Sequence, residues 1–401
     1  MPASANLMVI QGGGPTAVFN ASLSAALQEA RRHTVIGSIF GARFGVKGLV
    51  ENDIADLTGL DTHQLNLLRN SPGAALGSSR HKPSDEEMER IVHTLKQLDV
   101  RYLLFMGGNG TMRGAQIVTT YCRAAGMDIQ AIGVPKTVDN DIAETDRCPG
   151  YASAARYIAQ ATRELGADLR SLPQPVTVLE TMGRNVGWLA AASTLAIADS
   201  GDAPHLVYVP ELPFDRSAFL GDLDRIVGKH GWAVVVVSEG IRDAAGKLVF
   251  ETVSAAQADP LKRPMTSGVG QHLADFVAEN LGIRCRSEKP GLLGRCSVAL
   301  VSRQDLADAE AVGRAAVQSL ARGETDKMVT LLPLDESGGA GTGLVDLEAV
   351  AGHEHPIPAE WLSDGPLAVN DRFREYLSPL IGELTPFISG FPGVQSKVGV
   401  Q

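Results

Sequence analysis

The chain has 401 residues, 44% of them hydrophobic and 20% charged, with a formal net charge of −10. That length allows two to three domains and a sizeable core, and the acidic balance excludes a general nucleic-acid binder, which needs a basic surface. No run approaches the roughly 18 uninterrupted apolar residues of a membrane span, and the opening MPASANLMVIQGGG has no basic region followed by an apolar signal core.

Taken in order, short apolar runs that stop at glycine or acid alternate with segments of helical spacing. Residues 6–10 read as a strand ending in QGGGPT, 17–33 as a helix, and 35–40 as a second strand. Residues 85–98 place Met88, Ile91, Val92 and Leu95 at helical spacing behind Ser84 and Glu87, a capping-box pair. A strand at 101–106 ends in GGNGT, a helix follows over 112–124, and a strand at 129–134 runs into PKTVDNDI. The rhythm continues with strands at 176–179, 205–209, 233–237, 298–300 and 328–332. Helices are expected at 187–198, 216–229, 270–281 and 312–321, and a Gly/Ser-rich surface loop at 336–343.

Strand, glycine turn and helix in this alternation predict an α/β fold of two Rossmann-like lobes with mostly parallel sheets, whose ligands collect at the carboxyl ends of the strands, in the cleft. One lobe is expected over 1–152, completed by about 293–345, and the other over 153–292, completed by about 346–401. Cys122, Cys148, Cys285 and Cys296 have no CxxC or zinc spacing. They read as scattered thiols of a reducing, cytoplasmic compartment.

The chemistry-bearing residues sit where predicted strands end. Gly12, Gly13 and Gly14 let backbone N–H groups approach a phosphate, although a plain tight turn has the same composition. Gly107-Gly108-Asn109-Gly110-Thr111 repeats the arrangement, with Asn109 able to hold a phosphate oxygen or a metal-bound water and Thr111 able to cap the next helix. In PKTVDNDI, Asp139 and Asp141 are two apart and, if extended, point the same way. One carboxylate can accept a hydroxyl proton while the other helps place Mg²⁺. Lys136 and Thr137 can engage a transferring phosphoryl group. Arg184 in MGR can reach that phosphate, Glu239 in SEG can hold acceptor hydroxyls, and Arg286 and Arg295, flanking KPGLLG, can bind an anionic acceptor. Each of these residue types is also common in solvated turns and surface ion pairs. No GxSxG motif or Cys/His nucleophile pairing occurs.

The blocks GGGPTAVFNASL, GGNGT, PKTVDND, PGYASAARYIA, ETMGRNVGWLAA, PELPFD and SEG, in this order, resemble the phosphofructokinase family. The tail EYLSPLIGE resembles the long bacterial, pyrophosphate-dependent branch. The resemblance implies Mg²⁺, a homodimer or homotetramer with shared active sites, and transfer of a phosphoryl group to the 1-hydroxyl of fructose 6-phosphate. By that resemblance Asp139 matches the general base and Asp141 its partner. Asn109 and Asp139 are then the metal-facing residues. Thr137 matches a contact to acceptor and transferred phosphate. Gly13, Gly108, Asn109, Gly110 and Lys136 fall in the donor site, and Met182, Gly183, Arg184, Glu239, Arg286 and Arg295 in the sugar-phosphate site. Arg286 is the residue such oligomers would lend from a neighbouring subunit.

Lys136 stands where ATP-dependent bacterial enzymes carry glycine, which favours pyrophosphate. Gly110, where pyrophosphate enzymes usually carry Asp, keeps ATP as the alternative donor. Leu292 replaces a family Tyr or His that faces the 6-phosphate, and Pro175 replaces a family Arg or Lys. A different polyol, sugar or nucleoside is therefore the alternative acceptor. A catalytically silent phosphosugar-binding paralogue is the alternative from another class.

Overall fold

A computed structural model describes residues 4–171, 175–251, 268–335 and 338–388. Among these are eleven strands: β1 (Ala5–Gln11), β2 (Ile36–Ala42), β3 (Ile54–Asp56), β4 (Val100–Gly107), β5 (Gln130–Pro135), β6 (Val176–Thr181), β7 (Leu206–Tyr208), β8 (Ala233–Ser238), β9 (Cys285–Glu288), β10 (Lys327–Leu334) and β11 (Ala340–Asp346). They form a seven-stranded sheet of order β11-β10-β5-β4-β1-β2-β3 and a four-stranded sheet of order β7-β8-β6-β9. The smaller sheet is parallel throughout, and the larger is parallel except at its two edges, β2–β3 and β10–β11.

Both sheets are buried on two faces, as parallel sheets with crossover helices must be. Leu7, Val9, Leu104 and Met106 point to one side of the large sheet, into a core with the helices Phe19–Ala30 and Arg303–Ala321. Their neighbours Met8, Ile10, Leu103 and Phe105 point to the other, against the helices Asp85–Gln97 and Asn109–Ala124. In the small sheet Val234 and Val236 meet the helix Tyr151–Ser171 and Trp188, while Val235 and Val237 meet the helices Arg216–His230 and Val269–Leu281. The period-two alternation of side chains therefore explains why the strands read as unbroken apolar runs.

The expected α/β architecture is present, and the Ser84–Glu87 capping box forms with both reciprocal hydrogen bonds. Several details differ. Residues 298–300 make a turn, with Val298 half exposed and no strand paired to them among the described residues. The helix expected at 187–198 is a five-residue α-turn segment, Trp188–Ala192, that tightens into the 3₁₀ helix Ser193–Ala196. Part of the loop expected at 336–343 is β11, while Glu336 and Ser337 lie outside the described residues. Glycine there has low strand propensity but fits a close approach: a side chain at Gly343 would sit 2.9 Å from Thr330 Oγ1.

The loop from Asp139 to Gly150, which leaves the large sheet for the small one, is pinned by a buried ion pair. Arg147, 1% exposed, donates from Nε and Nη2 to the two carboxylate oxygens of Asp308 at 2.7 and 2.9 Å, and from Nη1 to Asp146 and the Leu332 carbonyl, each at 2.9 Å. One turn earlier on the same helix, Asp305 accepts from the Gly150 and Ser153 amides at 2.8 and 3.0 Å, which caps the helix Tyr151–Ser171. Asp308→Ala leaves the Arg147 charge buried without its bidentate partner and is expected to cost about 3–5 kcal/mol in urea unfolding. A loss under about 1 kcal/mol would show that the pair does not anchor the loop.

Candidate active site

The order β5-β4-β1 puts three carboxyl ends side by side, and the sequence motifs follow those ends. The turn after β1 is glycine because neighbours leave no room: a side chain at Gly12 would lie 2.4 Å from Thr111 Oγ1. Gly13 adopts φ +75°, in the left-handed region that favours glycine. Ser78 Oγ donates to the Gly13 carbonyl at 2.6 Å and fixes the turn. The second glycine turn opens the helix Asn109–Ala124, whose N-cap is Gly108 with no side-chain cap. That helix starts three residues earlier than the sequence pattern indicates. Thr111 is consequently its third residue rather than its cap, with its hydroxyl packed against Gly12 and Gly107.

Lys136 follows β5 and lies across these turns, its amide donating to the Gly107 carbonyl at 3.0 Å. The ammonium donates to the Gly14 carbonyl, sits 4.5 Å from the centre of the Phe19 ring, and is 1% exposed. Burial, then the nearby Arg295 charge, push its pKa down to about 7.

The DND stretch is a turn, so the extended case, in which Asp139 and Asp141 point the same way, does not apply. Asn140 takes φ +56°, and its buried Oδ1 accepts from the Cys148 amide at 2.9 Å. Thr137 Oγ1 accepts from the Asp139 amide at 3.2 Å. The turn brings Asp141 close enough to oppose the ionisation of Asp139. Asp139 is raised above the usual carboxylate range by burial first, then by Asp141 and Glu239, and Asp141 is raised mainly by burial. Asn109 Nδ2 donates to the Asp141 carbonyl at 3.0 Å, which leaves Asn109 Oδ1, Asp139 Oδ1 and Asp141 Oδ1 buried without hydrogen-bond partners.

Three orphaned oxygens beside suppressed carboxylates fit a divalent cation. Among the described residues no group of three His, Cys, Asp or Glu side chains could hold an ion alone. Magnesium suits this donor set, since it is commonly held by one or two carboxylates together with substrate phosphates.

The small sheet presents the opposite wall at the ends of β6 and β8. Met182-Gly183-Arg184 and Ser238-Glu239-Gly240 pack backbone against backbone. Ser238 Oγ and the Gly240 amide donate to the Gly183 carbonyl, and a side chain at Gly240 would fall 1.7 Å from the Arg184 carbonyl. Gly183 has φ +127°, and Met182 packs on the core behind it. Burial and Glu180 raise Glu239, while Lys289 and Arg184 pull it down. Glu239 also acts on Asp139, so the two walls face each other across the site.

Arg295, expected with the acceptor, reaches the first wall: a side chain at Gly14 would stand 3.0 Å from its Nη1, and its charge bears on both Lys136 and Asp139. Arg286 is not brought in. It lies exposed on the edge strand β9, level with Thr177 and short of the carboxyl end of β6. A side chain at Gly110 would meet nothing within 4 Å. Leu292 is 66% exposed on the short helix Gly291–Cys296, and Pro175 directly precedes β6. Three neighbours lie beyond the expected site residues: Glu180 and Asn185, both within the ETMGRN block, and Glu354. Glu180, 2% exposed, accepts from the Gly268 and Gly270 amides at 3.0 and 2.8 Å and pairs with Lys289 Nζ at 3.1 Å. Asn185 and Glu354 complete the rim, and nothing in the local pattern around Glu354 signals a site.

The phosphofructokinase family profile matches residues 6–320. The chain belongs to the phosphofructokinase family. It is accordingly a phosphotransferase of the kinase type. It is 36% identical over 409 residues to a pyrophosphate--fructose 6-phosphate 1-phosphotransferase of Xanthomonas campestris, covering 99% of this chain and 96% of that one. It is 35% identical over 321 residues to a sulfofructose kinase of Alkalicoccus urumqiensis, covering 80% and 81%. The solved pyrophosphate-dependent phosphofructokinase of Nitrosospira multiformis superposes with a TM-score of 0.86 at 33% identity, over 99% of each chain. No helix among the described residues is long and apolar enough to cross a membrane.

Because Asp139 is harder to ionise when folded, its stability deficit is absent below the ordinary value of 3.8 and grows as pH rises through the folded value. Asp139→Asn is therefore expected to raise the melting temperature in chelator at neutral pH and to leave it unchanged near pH 3.5. A lower melting temperature at neutral pH would contradict the charge balance described above.

Proposed function

We propose that this protein transfers a phosphoryl group from pyrophosphate to the 1-hydroxyl of fructose 6-phosphate. The observation that carries the donor is the buried Lys136 ammonium, bonded to the Gly14 carbonyl on the floor of the glycine cradle. It occupies space that a nucleotide's α-phosphate needs, and it supplies a cation for the leaving phosphate.

In this reading Gly13, Gly108 and Gly110 present backbone to the donor phosphates. Asp139 takes the proton from the acceptor hydroxyl as its oxygen attacks the terminal phosphorus. The bond from that phosphorus to the bridging oxygen breaks, and the released phosphate departs against Lys136. Thr137 and Arg184 hold the transferring group, and Glu239 with Met182 and Gly183 orients the sugar. Asn109 and Asp139, with Asp141 beside them, would hold Mg²⁺, which supplies charge neutralisation for the phosphates. Arg295 balances the site from the donor side, and Arg286 serves a neighbouring copy's site in a homodimer or homotetramer. The lobes are assigned as 1–152 with about 293–345 for the donor, and 153–292 with about 346–401 for the acceptor. The cytoplasm, where glycolytic substrates are found, is the proposed location.

A second reading of the acceptor rests on the outward-turned Leu292 and on Pro175, which place no cation or hydrogen-bond donor where the family faces a 6-phosphate. The sulfonate named in one relative keeps another anionic sugar in view.

A donor-by-acceptor matrix decides between them: pyrophosphate and ATP against fructose 6-phosphate, sulfofructose and unphosphorylated polyols, with magnesium. Turnover is expected with pyrophosphate and fructose 6-phosphate and should vanish with chelator. Turnover only with ATP, or only with another acceptor, overturns the corresponding half of the proposal. Asp139→Ala is expected to lower kcat by about 10²–10⁴-fold, with KM for pyrophosphate changed far less. A wild-type rate in that variant would remove Asp139 from the chemistry.

A further inference from the structure

The segment from His353 to Ile357 crosses the mouth of the site although it is more than 110 residues from the turns that carry Asp139, Arg184 and Glu239. Glu354 forms an antiparallel bridge with Ile142, and the His355 amide donates to the Asp141 carbonyl at 3.1 Å. The same Glu354 accepts through Oε1 from Asn185 Nδ2 at 2.5 Å, and Asn185 directly follows Arg184. Arg242 Nη2 approaches Asn185 Oδ1 from the other side at 3.5 Å. One residue thus touches both the turn that carries Asp139 and Asp141 and the turn that carries Arg184.

We propose that Glu354 is a positioning residue that sets the distance between these two turns. The proposal rests on the reading of Asp139 as base and Arg184 as phosphate contact. The Glu354 backbone pairs with the first turn and its side chain with the second, so loss of the side chain removes the direct tie between them. Misplacement of reacting groups by about 1 Å can cost on the order of 10²-fold in rate. The strap itself is held independently. Trp188 Nε1 donates to the His355 carbonyl at 2.8 Å, and Glu211 Oε1 accepts from the Gly187 and Ile357 amides at 3.0 and 3.2 Å. Removing the exposed Glu354 carboxylate therefore loosens the walls without undocking the segment.

Glu354→Ala is expected to lower kcat by about 10–100-fold, with both KM values within about threefold and the melting temperature within about 2 °C. Glu354→Gln keeps an oxygen that accepts from Asn185 and should stay within about threefold of wild type. Asn185→Ala should match Glu354→Ala, and the double variant should lose no more than either. A wild-type kcat in Glu354→Ala, or a Glu354→Gln variant as impaired as the alanine, overturns the proposal. Hydrogen exchange gives a readout that needs no turnover. Amides of residues 139–142 and 183–187 should exchange faster in Glu354→Ala, and unchanged exchange in both would overturn the strut. A wild-type protein inert with every donor and acceptor defeats the functional reading instead, and leaves the exchange result to judge Glu354.

Discussion

The buried pair between Arg147 and Asp308 is the constraint on which the site's geometry hangs. A charged pair taken out of water gains little net stability, because desolvation offsets most of the attraction. It does fix direction, since a guanidinium fork meets a carboxylate in one plane. Here that plane belongs to the helix Arg303–Ala321, which packs on the large sheet, while Arg147 belongs to the loop that leaves that sheet. Asp305 on the same helix caps the next one, and Asn140 ties the loop back on itself through the Cys148 amide. The left-handed turn at Asn140 is thus over-determined by contacts on both sides, the usual condition for holding a non-glycine residue there.

With its loop fixed, the site concentrates opposite charges in a dry place. Arg295 disfavours the charge on Lys136, and Asp141 and Glu239 disfavour the charge on Asp139. Each set relieves the other only in part, as the depressed lysine and raised aspartates show. The remaining imbalance is what a polyanionic donor and a divalent cation would satisfy together: phosphate oxygens for the ammonium and guanidinium, magnesium for the carboxylates. Ground-state frustration of this kind is a binding resource, since its relief is available only when both partners arrive.

What could be read from the residues was whatever the backbone writes locally. Strand runs such as 233–237 and glycine turns at strand ends are produced by burial and by close backbone approach, and both leave a mark in composition. The conformation of DND was not legible, because extension and a left-handed turn can each bring residues i and i+2 together, and only the buried partner of Asn140 decides between them. The start of the helix at Asn109 was misplaced because Gly108 caps without a side chain. The glycine-rich strand β11 was missed because its identity comes from its partner β10. Glu354 and Asp308 were invisible for the same reason: their partners lie 169 and 161 residues away.

The two ends of the site are built differently, and this bears on how such a protein changes substrate. The transfer centre is made of backbone turns locked by glycine: Gly12 against Thr111, and Gly240 against the Arg184 carbonyl. Almost any side chain added there displaces a wall. Outside it, the edge strand β9 and the six-residue helix Gly291–Cys296 carry Arg286, Leu292 and Leu293, all exposed. In the proposed reading the transfer chemistry is held by backbone and the acceptor's anionic group by exposed side chains, and the outward Leu292 is a position where a substitution displaces no core residue.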